Sequence, residues 1–110
     1  DQGAAPETTG FAPNSPYAAS KAAADHFVRS YFFTYNLPVV ATHGGNTYGP
    51  RQFPEKLIPR LILRGMSGES LPVYGKGKNI REWISSKDHA EGIISAWTRG
   101  VPGSSYNLGS

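Results

Sequence analysis

The apolar positions of this chain change period several times, and each change marks an element. From Pro16 to about Tyr35 an Ala-rich stretch carries Tyr17, Lys21, Ala24 and Val28 near one face at helical spacing. Ser15-Pro16 supplies the start, with proline in the first turn, and Asn36-Leu-Pro38 supplies the stop. Val39 to Thr42 is a short β-prone run after a helix and before a Gly-Gly pair, the pattern of a buried parallel strand whose carboxyl end opens onto a site. His43 to Phe53 then reads as a polar loop. Glu55 to about Ser67 predicts a second helix, with Leu57, Ile58, Leu61 and Ile62 at helical intervals and Pro59 in its first turn. Leu71 to Tyr74 and Asn79 to Ile84 predict strands flanking the Gly75-Lys-Gly77 turn. Ser86 to Arg99 predicts a third helix that buries Ile93, Ile94 and Trp97, and Tyr106-Asn-Leu108 a final strand. Residues 1–16 lack periodicity and read as loop.

Alternating helices and short strands predict an α/β fold, and the rest of the composition narrows how complete it is. With 110 residues, 38% apolar, 13 Gly and 9 Pro, the chain suits one loop-rich body with an incomplete core. The absence of cysteine excludes a disulfide framework, and no apolar run reaches the roughly 18 residues of a membrane span. No basic-then-apolar leader opens the chain, so a cytoplasmic protein without membrane attachment is expected. A formal charge of +3 suits either nucleic acid or an anionic small molecule. The distribution favours the small molecule: Lys76, Lys78 and Arg81 cluster near one Gly-containing turn, and no basic run or basic helical stripe exists.

The candidate chemistry begins with Tyr17-Ala-Ala-Ser-Lys21. Four residues apart on a helix, phenol and ammonium share a face, and a neighbouring cation favours phenolate and suits the phenol to act as a base. Alone, an aromatic and a surface lysine on one helical face would explain the pair as well. Asn46 sits in a Gly-Gly-Asn-Thr-Tyr-Gly-Pro segment after the predicted strand, where an amide can bond phosphate or sugar without adding charge. A turn asparagine beside glycine is the plainer reading. Glu55 and Lys56 open a helix whose first N–H groups face outward, which suits an anion as well as an ordinary helix start. Arg81 is the best candidate to grip a pyrophosphate, since a guanidinium fork matches two phosphate oxygens. The competing reading pairs it with Glu82 or Asp88. His26, His43 and His89 have no metal-ligand spacing, and no metal is expected.

Asn14-Ser-Pro-Tyr17, Tyr17-Ala-Ala-Ser-Lys21, Asn46-Thr-Tyr-Gly-Pro50, Phe53-Pro-Glu-Lys-Leu-Ile-Pro59, Leu71-Pro-Val-Tyr-Gly75 and Ile80-Arg-Glu-Trp83 follow one another in this order over nearly the whole chain. In that order they resemble the extended short-chain dehydrogenase/reductase family, the NAD-dependent epimerases and dehydratases, and within it the dTDP-glucose 4,6-dehydratases. The resemblance implies a Rossmann-type doubly wound parallel sheet with part of a small carboxyl-terminal substrate-binding region. It makes residues 1–70 the second half of the NAD-binding domain, the amino-terminal half being absent. Residues 71–110 become part of the substrate-binding region, interleaved with the last Rossmann elements.

For the site, the resemblance implies Tyr17 and Lys21 as catalytic pair, both also touching NAD, and Thr47 as a further cofactor contact, at a position where many relatives carry Asn. It implies Asn46, Glu55, Lys56, Leu57, Pro72, Val73, Tyr74 and Arg81 as contacts to a nucleotide-sugar, dTDP-glucose being expected. The implied reaction oxidises C4, eliminates water across C5 and C6 and reduces C6. No Gly-rich pyrophosphate turn occurs in the chain. Set against the family, the sequence therefore looks like an excerpt that begins after the Thr-Asp-Glu segment, inactive alone, from an enzyme expected to be a homodimer. A UDP-glucuronate decarboxylase, a 4-epimerase and a non-catalytic nucleotide-sugar-binding domain are the rival readings.

Overall fold

A computed structural model describes residues 5–73 and 75–109. The chain forms two compact units, one of residues 1–43 and 91–108, the other of residues 44–90 with 109–110. Helix α1 (Pro16–Tyr35) opens the first unit. Ser15 caps it by accepting the Ala18 N–H at 3.1 Å, and Pro16 occupies the first turn, where its missing N–H costs nothing. Asn36 ends it in the left-handed conformation (φ 53°), its N–H donating to the Phe32 carbonyl at 2.9 Å. Half-buried Ala18, Ala22, Asp25 and Phe32 make one helical stripe.

Strand β1 (Ala41–Gly44) begins two residues later than predicted and pairs with β4 (Ser105–Leu108). It is half-buried, not buried. Helix α3 (Ser86–Arg99) matches its predicted limits, but its buried side does not. Ile93, Ile94 and Trp97 are exposed, and Ala96 is buried. The cause is the close approach of β4: a Cβ at Gly92 would meet Leu108, and one at Gly100 the Tyr106 ring, so small residues face the strand and the bulky ones are turned outward. Tyr106 further accepts the Val101 N–H at 2.7 Å.

The segment before α1 is tied to β4. Asn107 donates its backbone N–H to Glu7 Oε1 at 3.0 Å, and its amide donates to the Ala5 carbonyl at 2.8 Å. The bond from Asn107 holds the Glu7 carboxyl below its ordinary value of 4.5, helped by the Glu7 N–H and the charge of His43 and opposed by desolvation. A folded pKa below the unfolded one gives a contribution that is full above the unfolded value and lost as pH falls through the folded one. In the intact protein, exchange protection of the Asn107 amide, corrected for intrinsic rate, is expected to fall on acidification below about 4.5 and to be insensitive to pH in Glu7→Gln. Equal pH dependence in both proteins would refute the tie.

The second unit is built on a parallel pair. Strand β2 (Asn46–Tyr48) lies beside β3 (Trp83–Ser85) with Asn46 opposite Trp83, Thr47 opposite Ile84 and Tyr48 opposite Ser85. The predicted loop 43–53 therefore contains a strand, because Gly44 and Gly45 end one extended run without ending extension itself. The predicted strands at 71–74 and 79–84 are corrected too: Leu71–Val73 and Asn79–Glu82 are irregular, and Tyr74 lies outside the described residues. Only the last two residues of that second run pair, since pairing follows the partner strand and not β-propensity alone. Ile84 is buried at the centre of the pair.

Helix α2 (Leu57–Met66) carries Pro59 in its first turn and turns Ile58 and Leu61 inward, while Leu57, Ile62 and Leu63 are exposed. Helix α3 starts at a reciprocal cap in which Ser85 Oγ receives the Asp88 N–H at 3.1 Å and donates to its carboxylate at 2.8 Å. Among the described residues, no helix is long and apolar enough to cross a membrane. Ile84 and Ala96 alone are buried apolar residues there, and broad apolar surface is exposed, including Phe27, Tyr31, Tyr35 and Met66.

Candidate functional site

The sequence-predicted residues fall on surfaces of both units. Tyr17 stands at the second position of α1 with 76% of its surface exposed, and Lys21 is exposed one turn later on the same flank. Neither phenol nor ammonium has a hydrogen bond or ion pair among the described residues, so both are available to a ligand.

In the second unit, the β2–β3 register brings Asn46 and the segment leading into β3 together. The Glu82 carbonyl accepts both the Asn46 backbone N–H, at 3.2 Å, and its side-chain Nδ2, at 3.0 Å. This fixes the amide: its nitrogen faces β3, leaving one N–H and the carbonyl oxygen to meet a ligand, one donor and one acceptor. Such a group suits a hydroxyl as well as a phosphate. Arg81, two residues before Trp83, is exposed and donates from Nη1 to the Ile80 carbonyl at 3.0 Å. The Asp88 carboxylate is held by Ser85 Oγ at 2.8 Å.

Thr47 is half-buried and its hydroxyl is already engaged, 3.1 Å from His89 Nδ1 and 3.4 Å from the Gly45 carbonyl. Its backbone carbonyl accepts Gln52 Nε2 at 2.9 Å. Sequence reasoning dismissed His89 as a metal ligand and gave it no other part; two segments so distant in the chain carry no local signal of their contact. Glu55 and Lys56 form an exposed ion pair with each other at 3.0 Å just before α2, and Leu57 is its first residue. Pro72 is half-buried and Val73 exposed. Tyr74 lies outside the described residues.

The first unit also holds an open cavity of about 710 Å³ lined by Glu7, Phe11, Asp25, His26, His43 and Asn107 among others. None of the sequence-predicted site residues lines it. His43 Nε2 lies 3.3 Å from Asp25 Oδ1, near enough to pair but off the line of a hydrogen bond. Phe11 packs edge-on against both His26 and His43, with ring centroids 5.8 and 5.7 Å apart. The cluster therefore reads as a packed anchor for the segment before α1.

Compared with known proteins, residues 1–109 match the sequence profile of the NAD dependent epimerase/dehydratase family. A dTDP-glucose 4,6-dehydratase from Neisseria gonorrhoeae is 56% identical over 103 residues, which are 94% of this chain and 30% of that protein. The chain thus spans about a third of the length of the curated relatives it matches, or less. The crystal structure of dTDP-glucose 4,6-dehydratase from Bacillus anthracis in complex with NAD superposes with a TM-score of 0.93 at 45% identity, covering 98% of this chain and 35% of that one. UDP-glucuronic acid 4-epimerase from Bacillus cereus, in complex with UDP-glucuronic acid and NAD, gives 0.90 at 28% identity, covering 100% of this chain and 36% of that one. The structural neighbours are Rossmann-type enzymes, and the α/β class expected from the sequence agrees with them.

Proposed function

Because the chain belongs to the NAD dependent epimerase/dehydratase family, we propose that the intact protein converts dTDP-glucose to dTDP-4-keto-6-deoxyglucose. The observation that carries the reading is the β2–β3 register. It sets Asn46 opposite Trp83, so that an oriented amide and the exposed guanidinium of Arg81 both lie at the amino-terminal end of the strand pair. The degree of identity to enzymes named for this dehydration supports the choice of reaction. The domain reading goes with it: residues 1–70 serve the NAD-binding domain and 71–110 contribute to the substrate-binding region.

The chemistry that NAD supplies when bound is the acceptance and return of a hydride. Tyr17 takes the proton of the C4 hydroxyl, and Lys21 stabilises the phenolate and holds the nicotinamide ribose. Thr47 is the further cofactor contact. Arg81 grips the pyrophosphate in a fork that needs no protonation control. Asn46 offers its remaining donor and acceptor to the sugar-phosphate, while Glu55, Lys56 and Leu57 line the hexose pocket. Pro72, Val73 and Tyr74 hold the thymine and deoxyribose end. A ketone at C4 acidifies the C5 proton. The exposed apolar side chains Phe27, Tyr31 and Tyr35 of α1 support a homodimer in the intact protein.

The 4-epimerase reading shares the first oxidation, and the similarity in fold to the Bacillus cereus enzyme favours it as the second choice. Incubating the intact protein with NAD and dTDP-glucose separates the two. The expected product has a C4 ketone and no C6 hydroxyl. A ketone that keeps the C6 hydroxyl, or a sugar inverted at C4, would reject dehydration.

A further inference from the structure

Gly44 and Gly45 carry the chain from the end of β1 into β2. Gly44 and Gly45 have no side chains with which to lock their own backbone, and glycine has the most conformational freedom to lose. Yet the residues that follow at once, Asn46 and Thr47, must be held still if they are to meet a ligand. One side chain from another element performs this task. His89, in the first turn of α3, lies so close over Gly44 that a Cβ there would be 2.5 Å from Nε2 and 2.8 Å from Cε1. Its Nδ1 is 3.1 Å from the Thr47 hydroxyl. One half-buried ring therefore touches both ends of Gly44–Thr47, which explains why position 44 has no side chain. On the other flank the Glu82 carbonyl takes the Asn46 N–H and Nδ2.

We propose that His89 is a positioning residue: through Nδ1 on Thr47 and its ring face on Gly44, it fixes the segment that presents Asn46 to the nucleotide-sugar and Thr47 to NAD. The inference rests on the reading that Asn46 and Thr47 contact ligands. It assigns His89 no contact with substrate and no proton transfer. The polar bond and the packing separate by substitution. His89→Leu keeps bulk over Gly44 and removes the bond, His89→Asn restores a nitrogen near the Nδ1 position, and Thr47→Val removes the hydroxyl from the other side.

In the intact protein, binding of dTDP-glucose and of NAD is measured by calorimetry, with steady-state kinetics alongside. His89→Leu and Thr47→Val are each expected to weaken dTDP-glucose binding by about 2- to 10-fold, the loss of one neutral hydrogen bond. In His89→Leu KM should rise with kcat little changed, His89→Asn should bind within about 2-fold of the parent protein, and the double variant His89→Leu/Thr47→Val should lose no more dTDP-glucose binding than the weaker of the two single variants. Unchanged binding in His89→Leu, or losses that multiply in the double variant, would overturn the proposal. If His89→Leu does not fold, Thr47→Val decides alone: unchanged dTDP-glucose binding by that variant overturns it. Asn46→Ala separates the underlying reading, because normal binding by that variant removes the ligand role of the segment itself. Weakened binding by Asn46→Ala beside normal binding by His89→Leu removes only the positioning role.

Discussion

Replacing Tyr17 by Phe in the intact protein is expected to lower turnover of dTDP-glucose at least ~10²-fold, the scale of a lost acid–base group, while substrate affinity stays within about 2-fold. The split follows from where the side chain stands. Tyr17 lies at the start of α1, on a helix end anchored by the Ser15 cap and Pro16, so its backbone is set before any ligand arrives. Its phenol has no protein partner among the described residues, and removing one oxygen therefore leaves no orphaned group behind. The phenyl ring and the path of the helix remain. What is lost is the ability to take a proton from the C4 hydroxyl, which matters only as that bond breaks. Single-turnover formation of the ketone, measured beside calorimetric affinity, checks both halves. Normal turnover in Tyr17→Phe would remove the base assignment, and weakened binding with normal turnover would make Tyr17 a contact residue only.

The second large effect concerns stability. Gly103 adopts φ 83°, and a Cβ there would run into the Phe32 ring, while its N–H donates to the Val39 carbonyl at 2.7 Å. An alanine meets two independent penalties. The left-handed backbone costs about 1–2 kcal/mol for a residue with a side chain, and overpacking against a half-buried ring costs about 1–3 kcal/mol. A loss of about 2–5 kcal/mol is expected for Gly103→Ala, read as a lower denaturation midpoint of the intact protein. Adding Phe32→Leu should return part of the packing loss and none of the backbone loss. Gly10→Ala serves as control, since a Cβ there meets nothing within 4 Å. If Gly103→Ala unfolds at the same midpoint as Gly10→Ala, the turn does not have this geometry.

What could be read from the sequence divides along a physical line. The limits of α1 were legible because capping is local: Ser15-Pro16 and Asn36 each act within a few residues. Family motifs single out Tyr17, Lys21, Asn46 and Arg81 as candidates, and the register of β2 with β3 puts Asn46 and Arg81 at one end of a strand pair. Which face of α3 turns inward was not legible. Ile93, Ile94 and Trp97 carry the apolar signal, whereas closeness to β4 selects Gly92, Ala96 and Gly100, and closeness depends on a strand from elsewhere in the chain. β2 was missed for a similar reason. Asn46-Thr-Tyr48 is polar at its first position and short, and only its partner Trp83–Ser85 makes it a strand. His89 was read alone, and alone it has no meaning; its role exists only where α3 meets Gly44 and Thr47.

The parallel pairing of β2 with β3 also bears on how the protein comes into being. A whole helix and two irregular stretches separate the strands, so the chain must close a long loop before the first ladder bond can form. On the ribosome, residues 46–48 emerge before residues 83–85 do, and their ladder groups wait meanwhile for water, a chaperone or a wrong edge. The strand pair that orients the Asn46 amide is thus a late contact of biogenesis, and the amide takes up its fixed orientation only after Ile84 has left the exit tunnel.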